Sequence, residues 1–239
     1  GFEVTLIQKL PQVLGPLDPE VANLVEGFMR RHGVNIVLGD AVAGFRQLEG
    51  GALEVQTDSG TAHPADVVIL AIGVRPDTTL ADTAGLEVGE LGGIRVDDHM
   101  RTSDADIFAV GDAIEVKDFV TGQWSLVALA GPANRQGRIA ADVIAGRDAR
   151  YRGTQGTSII GLFGAAAAWT GASEKTLQRL GDTDFDKVYL FPNSHAGYYP
   201  GAKPLGLKLV FRKSDGSLLG AQALGEDGPA VDKRISALA

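Results

Sequence analysis

Thr102-Ser103-Asp104-Ala105-Asp106-Ile107-Phe108-Ala109-Val110-Gly111-Asp112 is the stretch from which the rest of the chain can be read. Ile107 to Val110 is apolar without polar alternation, the pattern of a short strand buried on both faces of a parallel sheet. Gly111 has no side chain where that strand ends, which leaves room for backbone or ligand to come close, and Asp112 stands at the carboxyl end. Open α/β sheets bind ligands along that edge. An ionised carboxylate only accepts hydrogen bonds, so Asp112 suits a donor-rich partner such as a polyol chain. The same Gly-Asp pair also serves simply to turn a chain after a strand, because both residues favour turns.

The 239 residues allow one large domain or two smaller ones. A hydrophobic fraction of 44% with both signs of charge is that of a folded, soluble protein. Lys and Arg total 22 against 30 Asp and Glu, a net charge of −8 that argues against broad nucleic-acid binding. No apolar run approaches the roughly 18 residues of a membrane span, and no signal peptide is visible; no membrane partner is expected. Cysteine is absent, which excludes disulfides, thiolate metal sites and a cysteine nucleophile within these residues, and no metal site is expected. Both ends read as cut. Gly1 to Ile7 runs straight into a strand with no initiator Met, and Asp232 to Ala239 begins an amphipathic helix without a cap, so a piece of a longer protein is expected.

Working outward along the chain, Phe2 to Ile7 alternates as a strand and Pro11 to Pro16 is a loop. Asp18 as N-cap, Pro19 at the first helical position and Glu20 in the first turn open a helix. Val21, Leu24, Val25 and Phe28 form its apolar stripe and Gly33 ends it. Val34 to Leu38 is a strand, Ala41 to Leu48 and Ala52 to Thr57 form a hairpin around Gly50-Gly51, and Ala65 to Ile72 is a buried strand ending in Gly73-Val74-Arg75-Pro76. Asp97 and Asp98 are adjacent carboxylates of a strand that point to opposite faces, as solvated charges do. Glu115 to Trp124 reads as an exposed hairpin, and a helix runs from Gly131-Pro132 to about Ala145, with Ile139, Val143 and Ile144 apolar. Arg147 to Gln155 is a polar linker. Beyond it, strands at Ser158 to Phe163, Ala166 to Gly171 and Asp184 to Phe191, a helix at Glu174 to Leu180 capped by Ser173, and a hairpin of Leu205 to Arg212 with Ser217 to Leu224 make a largely antiparallel α+β domain.

Three motifs taken together and in order resemble the FAD-dependent pyridine nucleotide-disulfide oxidoreductases. Thr102 to Asp112 resembles that family's second flavin-contacting motif, in which the final Asp holds the ribityl chain of FAD. Leu129-Ala130-Gly131-Pro132-Ala133-Asn134-Arg135-Gln136-Gly137 is similar to the family segment that meets the flavin, and a helix N-terminus there would offer free N–H groups to the pyrimidine edge. The same Gly-Pro start also suits a helix that only packs on a sheet. His195-Ala196-Gly197-Tyr198-Tyr199-Pro200-Gly201-Ala202 resembles the segment of the coenzyme A-disulfide reductase and NAD(P)H oxidase branch in which a tyrosine reaches the other subunit's active site. A phenol can position a thiolate; two loop tyrosines also serve as interface anchors.

The resemblance implies an α/β chain made of parts of two Rossmann-like dinucleotide-binding domains followed by an α+β dimerisation domain. Residues 1–75 would be the C-terminal part of the NAD(P)-binding domain, 76–150 the C-terminal part of the FAD-binding domain, and 151–239 a truncated dimerisation domain. Gly73 falls in the A-x-G-x-x-P crossover out of the nucleotide domain. Gln8 falls where an acidic residue would bind the adenosine ribose hydroxyls; a neutral amide there neither anchors the 2′-hydroxyl as a carboxylate does nor repels a 2′-phosphate, and it is equally an ordinary strand end. The implied cofactors are FAD and NAD(P)H, with cofactor contacts at Gly111, Asp112, Leu129, Ala130, Gly73 and Gln8, and Tyr198 or Tyr199 at the substrate. The implied protein is a cytoplasmic homodimer that passes electrons from NAD(P)H through FAD to coenzyme A disulfide or a polysulfide. An NADH oxidase or peroxidase of the same architecture, or a non-catalytic dimerising remnant, is the alternative. The glycine-rich loops and the redox cysteine would precede Gly1, so the chain alone is expected to be inactive and to bind no FAD tightly.

Overall fold

The computed structural model describes residues 1–239. In chain order the elements are β1 (Val4–Gln8), α1 (Pro19–Arg31), β2 (Val34–Leu38), β3 (Val42–Gln47), β4 (Leu53–Thr57) and β5 (Ala62–Ala65). Then come α2 (Thr79–Thr83), β6 (Ile94–Arg95), β7 (Ile114–Lys117), β8 (Trp124–Leu126) and α3 (Ala130–Ile144). The last are β9 (Ser158–Leu162), β10 (Ala165–Gly171), α4 (Glu174–Arg179), β11 (Phe185–Leu190), β12 (Leu205–Arg212), β13 (Leu218–Gly225) and α5 (Gly228–Leu238). They form two units, one of Gly1–Ile72, Ser158–Trp169 and Ser173–Leu238, the other essentially Gly73–Thr157 with Thr170–Ala172.

In the first unit β1 and β2 pair in parallel, with Val4 opposite Val34. Pro19 opens α1 and Val21, Ala22, Val25 and Phe28 are its buried face, while Leu24 stays half exposed, so the stripe lies one residue away from the expected one on that side. The expected hairpin is β3–β4, extended by β5 into a three-stranded antiparallel sheet. The C-terminal sheet runs β11-β12-β13-β10-β9. Within it β10, between β13 and β9, carries Ala165 to Ala168, all buried. Strand alternation sends these methyl groups to opposite faces. Ala166 and Ala168 lie with Ala230, Val231 and Ile235 of α5 in one core. Ala167 lies with Val13, Leu17, Val21 and Val25 in the other. Small side chains let a helix approach each face closely. α5 starts at Gly228, a turn ahead of the expected Asp232.

Asp18 occupies the N-cap position of α1 but makes no side-chain cap bond to it. Its carboxylate instead accepts from the backbone N–H groups of Glu174 and Lys175, both at 3.1 Å, so it caps α4. It also takes the Gln222 amide at 2.7 Å and the Lys208 ammonium at 2.8 Å. Lys208 is 1% exposed and reaches Glu20 at 2.5 Å and Glu174 at 3.3 Å as well. The Tyr189 hydroxyl donates to Glu20 at 2.6 Å. Burial pulls the Lys208 ammonium down, yet the bonds and attraction of Asp18 and Glu20 outweigh it and leave its pKa raised.

The second unit packs α3 onto β7 through Ile139, Ala140 and Val143 against Ile114, Val116, Val96, Met100 and Tyr151. β7 pairs with β6 in parallel and with β8 in an antiparallel hairpin. This is the expected hairpin, but its first strand is buried: Ile114, Glu115 and Val116 are 1%, 0% and 4% exposed. Glu115 accepts from the N–H groups of Leu91 and Gly93 and faces Arg95 at 3.1 Å, whose guanidinium lies 3.8 Å from the Trp124 ring centre. The polar 147–155 segment is not a free linker either, since Tyr151 and Thr154 are buried and Thr154 bridges to Asp118.

Two expected strands do not form. Ile107 to Val110 makes only a bridge between Phe108 and Arg101, and Ile107 and Val110 are 38% and 40% exposed. The Ala65 to Ile72 stretch is unpaired past Ala65, with Val67, Ile69, Leu70 and Ile72 exposed. A strand is built by a hydrogen-bonded ladder to a neighbour, and within residues 1–239 neither stretch has one beyond the short pairing of 107–109 with 100–102. Asp97 and Asp98 are in a turn, not a strand, and Asp97 Oδ1 accepts from the N–H groups of His99 and Arg101.

The ion cluster makes a pH prediction. Burial raises the Glu20 carboxyl, but hydrogen bonds from Lys208 and Tyr189 prevail and bring it to about 2, below its ordinary 4.5. A depressed carboxylate stabilises the fold fully above the unfolded value and loses that contribution as pH falls through the folded one. Melting temperature followed from neutral pH downward should therefore drop between about pH 4.5 and about 2, and Glu20→Gln should flatten that part of the profile. An unchanged slope in the variant would remove Glu20 as the cause.

Candidate functional site

Backbone geometry sets the Gly111 corner. Val110 is extended, and Gly111 then turns to φ +86°, a left-handed conformation that disfavours any side chain, to start a single 3₁₀ turn, Gly111–Ala113. A Cβ built on Gly111 would meet only the Ala133 Cβ, at 4.0 Å. The glycine is required there by its φ, and the space beside its Cα is open. The Gly111 N–H donates to Gln136 Oε1 at 2.8 Å, and Gln136, on α3, is 2% exposed. That bond sets the Gly111-Asp112 turn beside the first turns of α3. Asp112 is exposed and its carboxylate makes no hydrogen bond or ion pair.

Helix α3 starts from an extended Leu129 that supplies no side-chain cap and has no acidic residue in its first turn. The Ala133 N–H bonds to the Leu129 carbonyl and Pro132 has none, so the N–H groups of Ala130 and Gly131 are left for an outside acceptor. They form the positive end of a helix of 15 residues. An exposed acceptor-only carboxylate on one side and two open donors on the other fit a flavin: a hydroxylated chain at Asp112 and an electron-rich carbonyl edge at Ala130.

Gly73 has φ +91° in the exposed stretch after β5, and nothing lies within 4 Å of a Cβ built there. Gln8 ends β1; its Oε1 accepts from the Leu10 N–H at 3.1 Å and its carbonyl from the Asp40 N–H at 3.3 Å. The His195 to Ala202 segment is the tip of the long connection between β11 and β12. Its base is clamped by an Asn193–Pro204 bridge and a Ser194 N–H bond to the Lys203 carbonyl at 2.7 Å. His195 Nδ1 is 3.1 Å from Ser194 Oγ. Tyr198 and Tyr199 are 86% and 64% exposed, with ring centres 5.4 Å apart and both hydroxyls unbonded. Gly111, Asp112, Leu129 and Ala130 thus come together in one unit, with Gly73 at its start, whereas Gln8 and the two tyrosines belong to the other.

Sequence reading missed Gln136. The signal was present: Gln136, Ile139, Ala140 and Val143 share the i, i+3, i+4, i+7 face, so a polar residue stood on the buried side of α3. Replacing it by Leu leaves the Gly111 N–H without its partner, at a cost of about 1–3 kcal/mol. Gln136→Leu should lower the melting temperature by several degrees while Arg135→Leu, on the exposed face, leaves it nearly unchanged; equal effects would deny Gln136 this role.

A pyridine nucleotide-disulphide oxidoreductase family model matches residues 1–137, and the dimerisation-domain model of the same family matches 159–239. The chain is 34% identical to the CoA-dependent NAD(P)H sulfur oxidoreductase of Pyrococcus abyssi, covering 100% of this chain and 53% of that protein. It is 33% identical to the NADH oxidase of Methanocaldococcus jannaschii, covering 100% and 52%. Among solved structures, reduced CoADR-RHD of Bacillus anthracis superposes with a TM-score of 0.93 at 47% identity, covering 100% of this chain and 42% of that one. The chain spans about half the length of the curated relatives it matches. With mixed α/β architecture and both family models in order, this chain belongs to the pyridine nucleotide-disulphide oxidoreductase family.

Proposed function

We propose that this chain is the flavin-proximal and dimerisation portion of an NAD(P)H-dependent flavoenzyme that reduces a disulfide such as coenzyme A disulfide, or a polysulfide. The supporting observation is the exposed Tyr198–Tyr199 pair on a clamped loop, in a chain whose relatives carry names of sulfur reduction. The proposed division is 1–75 for nucleotide binding, 76–150 for FAD and 151–239 for dimerisation, the working protein being a cytoplasmic homodimer.

When bound, FAD supplies hydride acceptance from NAD(P)H and onward release of the electron pair. The chain's own residues hold and orient it. Asp112 accepts hydrogen bonds from the ribityl hydroxyls, Gly111 gives the turn that presents it, and the Ala130 and Gly131 N–H groups after Leu129 donate to the pyrimidine edge. Gly73 takes the chain from the nucleotide portion to the flavin portion, and Gln8 faces the adenosine ribose. A Tyr198 or Tyr199 hydroxyl donates a hydrogen bond to the sulfur that becomes thiolate as the disulfide opens. Overall, NAD(P)H, a proton and one disulfide give NAD(P)+ and two thiols. These residues contain no cysteine, so any thiol relay is supplied from outside them. The M. jannaschii relative favours a second reading, an NADH oxidase with oxygen as acceptor.

The whole protein carrying this chain, mixed with NADPH and coenzyme A disulfide without oxygen, should release two thiols per nucleotide oxidised and turn over more slowly with oxygen alone. Tyr198→Phe or Tyr199→Phe should lower turnover with the disulfide about 10- to 100-fold and spare flavin reduction by NADPH. Fast oxygen consumption without thiol release would select the oxidase reading, and full activity in both variants would remove the tyrosines from the site.

A further inference from the structure

We infer that Lys175, Lys208 and Gln222, all from the C-terminal part of the chain, are positioning residues that shape the Leu10–Asp18 loop directly behind Gln8. The inference rests on the nucleotide reading of Gln8 given above.

From within, the loop is held by one backbone bond and by the buried Gln12 amide, which donates to the carbonyls of Val13 and Leu14, both at 3.4 Å, and of Leu17 at 2.8 Å. Its one internal backbone bond is Leu17 N–H to the Leu14 carbonyl, and Leu14 sits at φ +46°, a left-handed conformation uncommon for leucine. Ties from the C-terminal part of the chain join the loop to the rest of the unit. The Lys175 ammonium donates to the carbonyls of Gly15 and Leu17. The Gln222 amide closes a two-way clasp on Asp18, accepting from its N–H at 2.8 Å and donating to its carboxylate at 2.7 Å. Lys208 binds the same carboxylate. Val13 and Leu17, 4% and 0% exposed, pack in the core that holds Ala167 of β10.

The near end of the loop is tied to the candidate site. The Leu10 N–H is the donor that orients the Gln8 amide, and the Leu10 carbonyl accepts from Gly39 N–H at 3.0 Å. A shift of the loop would move the Leu10 N–H and turn the amide that meets the ribose. The residues that fix the loop thereby act on nucleotide selection without touching the nucleotide.

The test uses the whole flavoprotein. Lys175 is only partly buried, so Lys175→Met should fold with its full flavin content. Hydrogen exchange should quicken at Leu10 to Leu17 and stay unchanged along α3. The calorimetric Kd for NADPH should weaken roughly three- to tenfold, the effect of losing one or two hydrogen bonds to a loop. Turnover at saturating nucleotide and the KM for the disulfide should not move, and Lys175→Arg should restore binding. Lys175→Gln serves if Lys175→Met is unstable. Gln8→Glu is the companion variant and should shift preference toward NADH. If Gln8→Glu changes preference while loop exchange and Kd are unaltered in the Lys175 variants, the positioning role is wrong and the nucleotide reading stands. If neither substitution alters nucleotide binding, the nucleotide reading itself falls and takes the positioning role with it.

Discussion

The Asp18 carboxylate is the interaction on which the first unit depends. Its two oxygens receive two backbone N–H groups, a buried amide and a buried ammonium. These donors come from α4, β13 and β12, and the acceptor from the loop before α1, so one side chain joins parts of the chain more than 150 residues apart. Desolvating such charges is costly, and removing one member of a buried pair typically costs about 3–5 kcal/mol. An apolar replacement of matched volume could fill the same space, but it could not hold a non-helical loop at a defined angle. Directional bonds do that, because each of the four donors restricts where the carboxylate, and with it the start of α1, can lie.

The second unit solves a similar problem with a neutral group. Gln136 reaches from the buried face of α3 to the N–H of the one residue whose positive φ makes the corner. An amide can do this at lower cost than a charge, since Ile139, Ala140 and Val143, the other buried residues of α3, are apolar. The result leaves Asp112 facing water with its acceptor capacity unused and the start of α3 with two unused donors. A turn that only reversed the chain would not require a buried side chain to pin it so close to a helix N-terminus.

Much of this was legible in the residues. The β3–β4 hairpin, the Ser173 cap on α4, the β12–β13 hairpin and the extent of α3 follow local signals of turn chemistry, capping and periodicity, and local signals survive folding. What escaped was long-range pairing of polar groups. Asp18 looks like a cap for the helix that follows it, and nothing nearby in sequence says that its partners are at positions 174, 175, 208 and 222. Lys208, in an otherwise apolar strand, and Gln222, in Ala221-Gln222-Ala223, were visible as polar residues at buried positions. They were the places to ask what satisfies them, as was Gln136.

The two strands that did not form mark a different limit. Hydrophobic pattern reports which residues disfavour water; it does not report what covers them. Ala65 to Ile72 and Ile107 to Val110 have the composition of strands buried on both faces, yet several of their side chains are exposed, the first is unpaired past Ala65 and the second makes only an isolated bridge. Where a neighbour exists, the same kind of pattern works: Ile114 to Val116, between β6 and β8, is almost wholly buried although its Glu115 breaks the apolar run. Burial there is decided by the backbone ladder on each edge, and the carboxylate is accommodated because Leu91, Gly93 and Arg95 supply donors to it. A strand is thus a property of its neighbours as much as of its own residues, which is why Gly111-Asp112 could be matched to a family motif while the sheet expected to precede it could not be built from that motif alone.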